Sequence, residues 1–126
     1  MTLTNVAQVQ ELYRSFEEGD WARVLGCFSE DVEWTQPGTA RLSGVHRGRD
    51  AVAEFFVDIA RYGLSVRPIE LFGQGDRVVA VVAVELAGQR ANEVDRFTLQ
   101  DGRIVAVEHI GDTEMLSSVV TGGAAS

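Results

Sequence analysis

Apolar residues recur at three- and four-residue steps through the first half of the chain and at alternate positions through the second. Val6, Val9, Leu12, Tyr13 and Phe16 share one face of a helix. Asn5 is placed to cap its start, with Gln8 in the capping-box position, and Gly19 stops it. Asp20 caps a short second helix with Trp21, Val24, Leu25 and Phe28 on its apolar face. Residues 31–36 alternate as a strand that turns Val32, Trp34 and Gln36 to one side, and Pro37-Gly38 breaks it. Residues 39–48 read as a loop. A third helix carries Val52, Phe55, Phe56 and Ile59 and ends at Gly63.

From Leu64 the period becomes two, which predicts strands near 64–73, 77–87, 91–99 and 104–110. The intervening turns are Gly73-Gln74-Gly75-Asp76, Ala87-Gly88-Gln89 and Asp101-Gly102. Helices followed by a meander predict an α+β domain over 1–120, with three N-terminal helices packed on a curved sheet around an apolar pocket. Residues 121–126 read as a frayed tail. The run from Val78 to Val84 is apolar on both faces, whereas an antiparallel strand with one wet face alternates. The helices cover one face. A second copy of the chain is expected on the other, as a twofold homodimer.

Charge narrows the partners. The 126 residues carry 19 acidic and 11 basic side chains, a net −8, which opposes contact with nucleic acid or an anionic membrane. The longest apolar run is too short to span a bilayer. The first residues lack the pattern of a signal peptide, and a cytoplasmic location is expected. The lone cysteine, Cys27, sits at helical spacing from Val24 and Phe28 and reads as a small buried apolar residue. No metal-ligand spacing, phosphate loop or Gly-x-Ser-x-Gly is present, so neither metal nor cofactor is expected.

The candidate chemistry depends on a register. Asp95 alternates with Phe97 and Leu99, so its carboxylate points to the apolar side, either at the rim of the sheet or inside the pocket. A two-residue turn at Asp101-Gly102 pairs Leu99 with Ile104 and sets Asp95 against Glu108. A three-residue loop, Gln100-Asp101-Gly102 with a glycine bulge, pairs Asp95 with Val107 and Glu93 with His109. The second register gathers Asp95, Phe97, Leu99, Val105, Val107 and His109 on one face and avoids a like-charge pair. It is the expected one, and it makes His109 a neighbour of Asp95.

Gly19-Asp20-Trp21, Phe28-Ser29-Glu30-Asp31-Val32-Glu33-Trp34 and Pro37-Gly38 follow one another along the chain. Gly44, Gly48, Ala51-Val52, Phe55-Phe56, Asp95-Arg96-Phe97 and Asp101-Gly102-Arg103-Ile104 come after them. In this order they resemble the SnoaL-like branch of the nuclear transport factor 2-like superfamily, over roughly residues 5 to 118. The resemblance implies a cone-shaped pocket closed by the helices on an antiparallel or mixed sheet, with a dimer across the sheet's other face. It covers cofactor-free cyclases, isomerases, dehydratases and hydrolases as well as subunits that catalyse nothing. Steroid isomerases place a base aspartate where this chain has Gln36 and a donor tyrosine where it has Leu12, one position before Tyr13. Their second aspartate corresponds to Asp95. Limonene epoxide hydrolases use an aspartate at the position of His109, with an Arg-x-Asp that this chain lacks.

The expectation is therefore a cofactor-independent cyclase, isomerase or dehydratase acting on a small apolar organic molecule. His109 is the base, and Asp95 orients it or donates as a neutral acid. Tyr13 and Gln36 hydrogen-bond the substrate, while Trp21, Trp34, Phe56, Phe97 and Val107 shape the cavity. A non-catalytic ligand-binding or assembly subunit and an epoxide hydrolase are the alternatives.

Overall fold

The computed structural model describes residues 4–120; the tail expected over 121–126 and the first three residues lie outside the described residues. Helices α1 (Asn5–Glu18), α2 (Trp21–Gly26) and α3 (Arg49–Ala60) pack on one face of an open six-stranded sheet. The strands are β1 (Phe28–Gln36), β2 (Gly44–Arg47), β3 (Ser65–Gln74), β4 (Arg77–Leu86), β5 (Gln89–Gln100) and β6 (Arg103–Ile110). Their order in space is β2-β1-β6-β5-β4-β3. β3 to β6 form the antiparallel meander, and β1 joins it parallel to β6, so the sheet is mixed. A fourth helix, α4 (Thr113–Val119), follows β6.

The N-cap of α1 is Thr4 rather than Asn5: its hydroxyl accepts from the Ala7 amide. Asn5 and Gln8 look outward from the helix instead and donate to the carbonyls of Gly75 and Gly102. These bonds tie α1 to the β3–β4 and β5–β6 turns, a tertiary use that overrides the local capping box. Asp20 caps α2 as expected, accepting from the Arg23 amide. Phe28 belongs to β1, not α2, because the short helix ends at Gly26. The loop expected over 39–48 contains β2, which pairs antiparallel with β1 from Gln36–Gly44 to Glu33–Arg47. A four-residue edge strand with mostly exposed side chains leaves no periodic trace.

Burial follows the alternation. Val78, Ala80, Val82, Val84 and Leu86 of β4 face the helices and are buried, as are Phe97, Leu99, Ile104 and Val107 on β5 and β6. Each large side chain so removed from water contributes roughly 1.5–3 kcal/mol. Across the core, Phe56 of α3 lies within 5.2–6.5 Å, ring centre to ring centre, of Phe16, Trp21, Phe28, Trp34 and Phe55.

The β5–β6 connection differs from the expected loop. It is a two-residue turn, Asp101-Gly102, with φ of 52° and 77°, the left-handed pair that a type I′ turn requires. Leu99 pairs with Ile104, then the register shifts, so Thr98 pairs with Ala106 and Asp95 with His109. The extra residue lies on β6, at Val105, and not in the turn. Ile104, not Val105, is the residue buried beside Leu99.

Candidate active site

Residues 93, 95, 97 and 99 alternate onto the inner face of β5, which carries Glu93 and Asp95 into the apolar interior beside Phe97. Both acids are nearly sealed, at 6% and 4% exposure. A carboxylate removed from water to this degree needs donors. Asp95 has two. Tyr13 Oη donates to Oδ2 at 2.5 Å and His109 Nδ1 meets Oδ1 at 2.5 Å. The other ring nitrogen of His109, Nε2, lies 2.6 Å from Glu93 Oε1. Glu93 Oε2 in turn accepts the backbone N–H of Asp112 at 2.7 Å. The result is a buried chain, Tyr13–Asp95–His109–Glu93–Asp112, drawn from α1, β5, β6 and the connection to α4.

The proton positions follow from these contacts. Burial disfavours a charged His109, but its hydrogen bonds to Asp95 and Glu93, with their negative charge, outweigh it and raise its pKa to about 9. Near neutral pH the ring is an imidazolium that donates one N–H to each carboxylate. Burial, then the charge of Asp95 and the hydrogen bond to it, push the Tyr13 hydroxyl well above its ordinary value, so it remains a donor. Arg96 and Glu108 pair with each other on the opposite face of the sheet, at 2.6 Å.

Around this chain the wall is apolar. Leu12, Phe16, Trp34, Phe55, Phe56 and Ile59 line one side, and Met115 and Leu116 of α4 close another. The cavity holds about 80 Å³, well below the roughly 300–1,000 Å³ typical of sites for drug-sized ligands. Gln36 also faces it, and the Trp34 indole N–H approaches the Gln36 carbonyl oxygen at 3.4 Å.

Of the residues expected at the site, Asp95, His109, Tyr13, Trp34, Gln36, Phe56 and Phe97 line this one cavity. Trp21, the first residue of α2, stands outside it, 41% exposed and edge-on to Phe16. Val107 is buried in the core and not on the cavity wall. Glu93 was not among the expected site residues, although its alternation with Asp95 was the signal that points to it. Met115 and Leu116 carried no such signal, since their position depends on how α4 folds back.

Cys27 is buried and donates to the Arg23 carbonyl oxygen. Its pKa is raised, by burial first, which disfavours the nucleophilic thiolate. His46 holds the Leu42 carbonyl and lies against Phe55, away from the chain above. Among the described residues no group of three or more His, Cys, Asp and Glu is arranged to hold a metal ion. Among those residues no helix is long and apolar enough to cross a membrane.

Residues 9–107 match a protein family described as SnoaL-like domain. An uncharacterized protein of Mycobacterium tuberculosis is 40% identical over 52 residues, a stretch spanning 41% of this chain and 40% of that protein. The chain thus spans less than half the length of the curated relatives it matches. The crystal structure of an NTF2-like protein of unknown function from Burkholderia pseudomallei superposes with a TM-score of 0.83. It is 26% identical, and the overlap covers 95% of this chain and all of that one. TerC, co-crystallized with polyporic acid, superposes at 0.81 with 27% identity, over 94% of this chain and 98% of its own.

Proposed function

The chain belongs to the SnoaL-like domain family, and on that footing we propose that it is a cofactor-independent acid–base enzyme of small-molecule metabolism. Its substrate is a small, largely apolar carbonyl compound, and its reaction is an isomerisation, cyclisation or dehydration. The observation that carries this reading is one carboxylate, Asp95, shared by a phenol and an imidazolium inside an apolar cavity.

His109, the base expected from the sequence, donates both N–H groups, so in this proposal the base is Asp95. A free lone pair of its carboxylate takes a proton from the carbon next to the substrate carbonyl, and the C–H electron pair becomes an enolate. Once protonated, Asp95 releases the Tyr13 hydroxyl, which turns to donate to the enolate oxygen. The Gln36 amide supplies a second donor, as expected of both residues. The His109 imidazolium holds the Asp95 carboxyl group in place throughout. Returning the proton to a different carbon completes an isomerisation. Attack of the enolate carbon on a second carbonyl of the same molecule closes a ring. A positioned acid or base of this kind contributes about a hundred- to ten-thousandfold.

That TerC was co-crystallized with polyporic acid supports an organic ligand for this fold. The cavity volume favours a small molecule, or a larger one admitted by displacing α4. The proposal includes a homodimer through the outer sheet face, where Phe72, Val79, Val81 and Ile110 form an apolar surface. It also includes a cytoplasmic location, which suits the single thiol and the net −8 charge.

The test is deuterium wash-in from D2O at carbons adjacent to the carbonyl of candidate ketones and hydroxyquinones, followed by NMR. Asp95→Asn, shown by circular dichroism to be folded, is expected to slow exchange at least about a hundredfold. Exchange that survives the change rejects the acid–base reading and leaves a ligand-binding subunit.

A further inference from the structure

We propose that Glu93 is a positioning residue that couples the proton on His109 to the seating of α4 over the cavity. This rests on the acid–base reading of Asp95 and His109 and adds how the site opens and closes. One buried carboxylate serves two partners. Oε1 holds His109 and Oε2 holds the Asp112 backbone N–H. Asp112 is also the N-cap of α4, its side chain accepting from the Met115 amide at 2.9 Å. Met115 and the adjacent Leu116 are buried and form part of the cavity wall.

Gly111 gives a second, independent sign that the β6–α4 connection is folded around this carboxylate. A Cβ at Gly111 would lie 2.4 Å from Glu93 Cδ and 2.6 and 2.7 Å from its two oxygens. No side chain fits there while Glu93 keeps its place.

The titratable groups on the cavity wall are Tyr13 from α1, Glu93 and Asp95 from β5, His109 from β6 and Asp112 ahead of α4. α3 and β1 contribute only Phe55, Phe56, Ile59, Trp34 and Gln36. With His109 protonated, each Glu93 oxygen accepts one donor, and the connection to α4 is held. When the proton leaves Nε2, a lone pair faces Oε1 and the contact turns repulsive. Glu93 then shifts, Asp112 loses its acceptor, and α4 loosens from the mouth. The small cavity volume belongs to the state with α4 seated.

The experiment follows His109 by NMR titration alongside uptake of N-phenyl-1-naphthylamine, a neutral apolar fluorophore, and amide exchange in α4. In the unmodified chain, fluorophore uptake is expected to accelerate with the same midpoint as His109 deprotonation. Glu93→Gln keeps the shape and an acceptor for Asp112 but removes the charge, so both midpoints move down by one pH unit or more. Gly111→Ala removes no titrating group but pushes the Glu93 carboxylate off its partners, and is expected to speed uptake and α4 exchange tenfold or more at pH 7. Uptake that ignores the His109 titration overturns the proposal, as does a His109 midpoint unmoved in Glu93→Gln. None of these readouts requires turnover, so a failed deuterium wash-in removes the acid–base reading without deciding the coupling.

Discussion

Tyr13 on α1 and Asp95 on β5 are 82 positions apart in the chain, and a 2.5 Å hydrogen bond joins the hydroxyl of one to the carboxylate of the other. The same tyrosine ring stands edge-on to Phe97 at 6.0 Å. Tyr13→Phe keeps that packing and leaves the carboxylate one donor short. Urea denaturation is expected to show a loss of about 1–3 kcal/mol, the cost of a buried acceptor left without its partner. Deuterium wash-in is expected to fall tenfold or more with it. A Phe variant as stable and as active as the parent would remove this bond from both roles.

Stability is expected to depend on pH through His109. Its folded pKa is raised, from an ordinary 6.5 to about 9. A raised value means the folded state holds the proton more tightly than the unfolded chain. The stabilisation is therefore complete below about pH 6.5 and is lost as the pH climbs through 9, to a total on the order of 3 kcal/mol. Tyr13, also raised, adds a loss of the same sign above pH 10. Thermal unfolding between pH 6 and 9.5 should show a falling melting temperature, and His109→Gln should flatten the curve over that interval. A slope retained by the variant assigns the effect to other groups.

The aromatic cluster should divide by burial. Phe56 is nearly sealed among its five ring neighbours, so Phe56→Ala is expected to cost about 3–5 kcal/mol. Trp21 touches the same cluster from the surface, and Trp21→Ala is expected to cost about 1 kcal/mol. Denaturant midpoints of the two variants, measured side by side, check the ordering.

Phe72, 59% exposed on the outer sheet face, pairs with Val79 beside Val81. A charge there should be harmless to a monomer and fatal to a sheet-face dimer. Light scattering is expected to give twice the chain mass for the parent and one chain mass for Phe72→Glu. A monomeric parent rejects the dimer.

Some of this arrangement was legible in the residues themselves. Alternation alone turns Asp95, Phe97 and Leu99 the same way, and parity decides whether His109 joins them. The expected loop and the observed turn with its bulge offset β6 by two residues relative to each other. An even offset preserves the face, so Asp95 and His109 meet although the predicted turn is not the one formed. The difference shows one step away, where Ile104 rather than Val105 enters the core. The same alternation extended backwards reaches Glu93. Other features have no local signature. Tyr13 finds Asp95 only through the docking of α1, and the Asp112 amide meets Glu93 only after α4 folds back. β2 is too short and too exposed to carry a period.

Val105 holds no proton, touches no substrate and is not among the buried core residues, yet it sets the frame in which the acid meets the imidazole. A β6 paired from the same turn without the bulge would set Glu108, not His109, against Asp95, two carboxylates face to face. Deleting the residue outright would close the ladder with Asp95 still opposite His109, so the frame survives a shorter strand but not a straighter one.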